Sequence, residues 1–128
     1  MSLKTPLGRV LGLGAAGGGA HHWWVQRVSA LALVPLGAWF VIALVLLPDM
    51  GYGTVRGWLA EPLHGLLMSL FVLAAAYHSW LGVTVVIEDY VPETTSKVTA
   101  LLVSQFLHLA AGAGALFAVL KVALGSAV

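Results

Sequence analysis

The chain has 128 residues, of which six are Lys or Arg, five are Asp or Glu and 60% are hydrophobic, for a net charge of +1. Charged residues make up 9%, too few to clothe a soluble domain, where about 25% is usual, and a mean hydropathy of +0.97 excludes a disordered chain. The absence of cysteine removes disulfides, thiolate metal sites, iron–sulfur clusters and a Cys nucleophile, and no basic cluster offers a footprint for nucleic acid.

What remains is a small integral membrane protein, read as one membrane-anchor domain over residues 1–128. Residues 1–23 form a lead-in. Within it, Gly12, Gly14, Gly17, Gly18 and Gly19 make a poor helix former, so an irregular stretch at the membrane surface is expected. The lead-in runs into His21-His22-Trp23-Trp24-Val25-Gln26-Arg27-Val28-Ser29. Trp23 and Trp24 suit interfacial anchors, and Arg27 suits a snorkelling charge. The same cluster of His, Gln, Arg and Ser also suits a polar pocket for a headgroup that is itself partly apolar.

Three uncharged stretches follow, of 20 residues (28–47), 25 residues (63–87) and 23 residues (98–120). Each is long enough for a helix that needs ~20 residues to cross the hydrocarbon core. They are continuously apolar, whereas a membrane barrel strand alternates, and only helices satisfy their own backbone in lipid. The first stretch starts too late and is too long for a secretory signal. Spans are predicted at about 24–48, 63–88 and 97–120.

Pro35 predicts a kink in span one. Pro48-Asp49-Met50-Gly51-Tyr52-Gly53 reads as a turn-rich exit, and Glu61-Pro62 as the start of span two. His64 sits beside that boundary and reads as interfacial, although a second haem ligand on the same helix is geometrically open to it. His78 lies nine residues before Ile87, roughly 13 Å inside that end at 1.5 Å per residue. Ionisable residues at such depth face a bundle interior or a cofactor. Three readings stay open for His78: a hydrogen bond across helices, a proton relay, or axial ligation of haem iron. Ala74, Ala75, Ala76 and Gly82 leave room beside it for a macrocycle or another helix.

Asp89 follows His78 by 11 residues, about 20° from alignment on a helix. His78, Gly82, Val85 and Asp89 therefore share one stripe. Tyr90 is either an aromatic-belt anchor or a phenol that donates a hydrogen bond to a ligand at the membrane boundary. Thr94-Thr95-Ser96 offers an N-cap for span three. In that span, His108 with Gln105 one turn earlier points to a hydrogen bond with a neighbouring helix in preference to ligation. Gly112 and Gly114, among alanines, make a small-residue face for close packing.

Lys4, Arg9, Arg27 and Lys97 fall on one side of this layout, and Arg56 and Lys121 on the other. The excess predicts a cytoplasmic N-terminus and an outside C-terminus. The fold expected is an all-α membrane protein of three transmembrane helices.

The stretch Tyr77-His78-Ser79-Trp80-Leu81-Gly82, continuing to Glu88-Asp89-Tyr90-Val91, closely resembles the second helix of the smaller hydrophobic membrane anchor subunit of succinate dehydrogenase, respiratory complex II. That family carries a His-x-Trp-x-Gly stretch in mid-helix and an Asp-Tyr at the helix end. Its first helix is preceded by a His and, six residues on, an Arg, a spacing that His21 and Arg27 meet.

The resemblance implies a bundle completed by a partner anchor subunit of the cytochrome b type, carrying an iron–sulfur subunit and a flavoprotein subunit where succinate is oxidised. It implies His78 as an axial ligand of a haem b shared with the partner anchor, and so as the metal-binding residue. It implies Tyr90 hydrogen-bonded to a ubiquinone carbonyl, with Asp89 beside it. His21 and Arg27 would lie near the haem propionates and the quinone. The implied role is electron transport from the tricarboxylic acid cycle to ubiquinone. The implied location is the bacterial inner membrane, or that of the mitochondrion in a eukaryote.

Two further readings compete. One is the anchor of a fumarate reductase or another b-type cytochrome. The other is a small non-redox transport or assembly protein whose histidines pair across helices.

Overall fold

The structure, a computed structural model, describes residues 19–125. Among the described residues there are four helices and no strand: α1 (Gly19–Leu46), α2 (Tyr52–Ala60), α3 (Pro62–Tyr90) and α4 (Thr94–Gly125). Three of them are long and apolar enough to cross a membrane, over Ala20–Leu46, Pro62–Tyr90 and Thr94–Gly125. At 27, 29 and 32 residues they reach about 40–48 Å. That exceeds the ~30 Å hydrocarbon core, so their ends stand in the headgroup layers.

The first helix begins before the predicted span. It takes in residues 19–23, four of which are not glycine, and so absorbs the paired histidines and tryptophans into helical register. The remaining lead-in, with its predicted irregularity, lies outside the described residues. Pro35 falls inside α1. The last helix continues to Gly125, carrying Lys121 with it.

The loop after span one holds a helix that hydropathy does not signal. Asp49 nucleates it. Its Oδ1 accepts from the Gly51 N–H at 2.7 Å and from the Thr54 hydroxyl at 2.9 Å. A Cβ on Gly51 would stand 2.7 Å from that oxygen, so any larger residue there would push the Asp49 carboxylate aside. Trp58 of α2 stacks on Trp39 of α1 at 5.8 Å and on His64 of α3 at 4.9 Å, tying the short helix to the bundle.

Helix α3 starts as expected, with Glu61 at the cap and Pro62 in the first turn. Helix α4 is capped differently from the expectation. Glu93, not the Thr-Thr-Ser run, accepts the free N–H groups of Thr95 and Ser96. Hydrogen bonds from Ser96 and then Thr95 hold the Glu93 carboxyl down to about 2, against an ordinary value of 4.5. A charged carboxylate is the better acceptor at a helix N-terminus, where the dipole also favours it. Lys97 donates to the Glu88 carbonyl at 2.9 Å, linking the start of α4 to the end of α3.

The three long helices form a row with α3 in the middle. Helix α3 packs against α1 on one side and α4 on the other, and α1 and α4 do not meet among the described residues. Helix α2 lies against α3 and α4. Phe40 and Phe71 stack at 5.0 Å between α1 and α3. Small residues bring α3 and α4 close: a Cβ on Gly112 would stand 3.1 Å from that of Ala76, and one on Gly65 would stand 2.9 Å from that of Ala123. Among the described residues few side chains are buried: Leu81 and Val119 are the apolar ones, Ser29 and Ser104 the polar ones. Leu31, Val45, Phe106 and Phe117 stay exposed, as suits helices whose solvent is lipid or another membrane chain.

Candidate functional site

The middle position of α3 sends neighbouring side chains in different directions, because successive residues on a helix are about 100° apart. His78 meets α1, and Ser79 meets α4. The Ser29 hydroxyl and His78 Nδ1 lie 2.9 Å apart. Ser29 also donates to the Gln26 carbonyl one turn back, at 3.0 Å. Among the described residues no hydrogen bond uses the other ring nitrogen, Nε2, of His78.

His78 lines a cleft of about 480 Å³ between α1 and α3, together with His22, Trp23, Gln26, Arg27, Ala30, Val85 and Glu88. The guanidinium of Arg27 lies over the Trp23 ring at 5.4 Å, a stacking that orders its charge. Gly82 leaves space for Gln26, whose Nε2 would stand 3.6 Å from a Cβ there. Among the described residues His22 Nε2 and Gln26 Oε1 are buried without a hydrogen-bond partner. Unpartnered buried polar atoms are costly in a dry bundle, so two at one cleft fit a group with polar atoms of its own.

The structure thus brings His78 and Arg27 together. It puts His22 in the cleft, while His21 is exposed and does not line it. Asp89 and Tyr90 are exposed at the end of α3, Tyr90 at 80%, and neither lines the cleft. Glu88 does so instead. Angular alignment picks a face of α3, and the path of α1 decides which part of that face is covered. Ser29 and Gln26 join the site as the polar cluster suggested, and Glu88 is an addition to it. The first two stand in the polar cluster that opens α1, and their pattern is visible in the sequence. Their direction is not.

The other two histidines of the spans are tied elsewhere. His108 Nδ1 donates to the Ser104 carbonyl at 2.8 Å, and the Ser79 hydroxyl lies 3.1 Å from its Nε2. Both nitrogens are therefore engaged, one of them across helices as expected. A groove of about 430 Å³ runs beside this pair, lined by Tyr77, Trp80, Gln105 and Gly112 among others. His64 Nδ1 lies 3.1 Å from the Trp58 carbonyl and 3.3 Å from the Glu61 carboxylate, with its ring on Trp58. Among the described residues no three His, Asp or Glu gather into a metal cage. A macrocycle that carries its own ring nitrogens asks a chain for a single imidazole.

Residues 1–120 match the model of the succinate dehydrogenase/fumarate reductase transmembrane subunit. The chain belongs to this family. A succinate dehydrogenase hydrophobic membrane anchor subunit of Paracoccus denitrificans is 31% identical over 128 residues, covering 100% of this chain and 98% of the relative. The anchor subunit of Rickettsia conorii is 27% identical over 103 residues, covering 80% of this chain and 82% of the relative. That of Rickettsia bellii is 32% identical over 78 residues, covering 61% and 62% respectively. No solved structure gives a significant match. The anchor chain is accordingly a multi-pass membrane subunit of an oxidoreductase complex, and its three apolar helices agree with that.

Proposed function

We propose that His78 of the anchor chain would ligate the iron of a haem b shared with a partner anchor subunit, and that the chain completes a ubiquinone site near Asp89 and Tyr90. The observation that carries this reading is His78 itself. It is an imidazole deep in a spanning helix, tethered through Nδ1, with Nε2 in no hydrogen bond among the described residues, in a cleft beside Arg27. When bound, the haem supplies one-electron redox chemistry at the iron. The residues of the cleft fit its needs: Ala30 gives width, and Arg27 gives charge for propionate carboxylates. The unpartnered polar atoms of His22 and Gln26 suit a ligand with a polar edge of its own.

At the membrane boundary the Tyr90 phenol donates a hydrogen bond to a quinone carbonyl. Asp89, exposed beside it, accepts and hands on protons from water, since a quinone takes up two electrons and two protons. The exposure of both residues suits a site whose remaining walls come from partner chains. Those partners are a second anchor of the cytochrome b type, an iron–sulfur subunit and a flavoprotein that oxidises succinate. The N-terminus lies on the cytoplasmic side of the bacterial inner membrane, by the distribution of Lys and Arg. The curated relatives carry the succinate dehydrogenase name, which favours succinate oxidation over the reverse direction.

The test uses the purified complex. His78→Ala alters the haem optical spectrum, and an unchanged spectrum refutes the ligand role. Tyr90→Phe lowers succinate–quinone turnover and spares succinate oxidation with a soluble artificial acceptor. Equal loss in both assays refutes the quinone role.

A further inference from the structure

We propose that Ser29 is a positioning residue that sets the tautomer of His78, keeping the ring proton on Nδ1 and Nε2 bare for the iron. The inference rests on the reading of His78 as a haem ligand and extends it to a residue on a different helix.

The argument is one of counting hydrogens. Ser29 is 9% exposed and within reach of two partners, the Gln26 carbonyl at 3.0 Å and His78 Nδ1 at 2.9 Å. A serine hydroxyl has one hydrogen and can accept as well. The Gln26 carbonyl can only accept. If Ser29 donates to that carbonyl, its oxygen is free to accept, and His78 Nδ1–H donates to it. Both contacts are then hydrogen bonds, in a chain running from His78 through Ser29 to the backbone of α1. If Ser29 instead donates to His78 Nδ1, the contact with Gln26 is lost. The ring proton then sits on Nε2, where it blocks ligation. Two bonds against one, at a buried position where each unmade bond is costly, select the first arrangement.

His108 is the contrast within the same chain. Its Nδ1 is held by the Ser104 carbonyl one turn back on the same helix, and its Nε2 meets the Ser79 hydroxyl. That arrangement uses both ring nitrogens and leaves none for a metal. The difference follows from the partner. Ser29 has given its hydrogen to the backbone and acts as an acceptor, whereas the Ser79 hydroxyl is the donor to a bare Nε2.

A ligating histidine usually donates its other N–H to a nearby oxygen, which fixes the ring and raises its basicity as a ligand. A more basic ligand favours ferric over ferrous iron. Removing the Ser29 acceptor therefore raises the haem midpoint potential.

The experiment is done on the complete complex, with haem content, low-spin electron paramagnetic resonance and redox titration of the haem as readouts. Ser29→Ala is expected to keep haem near wild-type content, to shift the resonance and to move the midpoint potential upward. Ser29→Thr, which keeps the hydroxyl, returns both toward wild type. Ser29→Cys, similar in size and a weak acceptor, moves them in the same direction as Ala, and it decides the matter if the Ala variant fails to assemble. Wild-type potential and resonance in Ser29→Ala or Ser29→Cys overturn the proposal, as does a Thr variant that behaves like Ala. His78→Ala is run in parallel. If it leaves the haem spectrum unchanged, the ligand reading fails. If it changes the spectrum while Ser29→Ala and Ser29→Cys are silent, only the role of Ser29 fails.

Discussion

A tight glycine contact between α3 and α4 makes a quantitative prediction. Gly65 lies on α3 where a Cβ would stand 2.9 Å from Ala123 Cβ of α4 and 3.2 Å from the Leu59 carbonyl. Carbon atoms prefer about 3.5–4.0 Å, so Gly65→Ala forces α3 and α4 apart by at least ~0.6 Å at this point. Neither neighbour is the free end of a flexible side chain. Overpacking of this kind costs about 1–3 kcal/mol, and alanine recovers about 1 kcal/mol of helix preference over glycine. The net expectation is a loss of about 1 kcal/mol. Ala123→Gly removes the other partner of the clash and loses about 1 kcal/mol of helix preference by itself. If the contact is the cause, the double variant is more stable than the sum of the two losses, with a coupling of about 1–2 kcal/mol. The assay is a double-mutant cycle on unfolding of the purified complex in mixed micelles. Helix preference and contacts to partner chains cancel in the cycle. Additive effects within about 0.3 kcal/mol would refute the contact.

Other expectations follow from single interactions. Ser79→Ala and His108→Leu should couple by about 0.6 kcal/mol, the usual size of a hydrogen bond between membrane helices. Neither should lower succinate–quinone turnover; a large loss of turnover in Ser79→Ala would contradict a purely structural pair. Glu93 titrates at about 2 in the folded chain against 4.5 ordinarily. Its folded value is depressed, so the cap contributes fully above the ordinary value and is lost as pH falls from about 4.5 toward about 2. The protection of the Thr95 and Ser96 amides against exchange, relative to the intrinsic rate at each pH, should fall through that range. In Glu93→Ala that protection should be low and flat with pH, and a pH-dependent loss of protection that persists in that variant would refute the cap.

Much of the fold was legible because a membrane helix is specified by length and hydropathy alone. Three uncharged runs located α1, α3 and α4, and Glu61-Pro62 marked the start of α3 correctly, since a proline there costs no hydrogen bond. The short helix α2 escaped because it is nine residues long, half polar or glycine, and held by Asp49 and by stacking on Trp39 and His64. The cap of α4 escaped because a glutamate can reach back over its own helix start, which no hydropathy pattern reports.

By itself the sequence determined that the chain crosses a membrane three times, that His78 lies deep inside, and that a polar cluster waits at the start of the first span. Depth is a count of residues along one helix, and counting needs no second helix. Tertiary structure alone decided which polar residue meets which. It chose Ser29 as the partner of His78, put His22 in the cleft and left His21 outside, and gave Ser79 to His108. The reason is that each such choice depends on the rotation and crossing of two helices. In this bundle, glycines and alanines set how closely those helices approach.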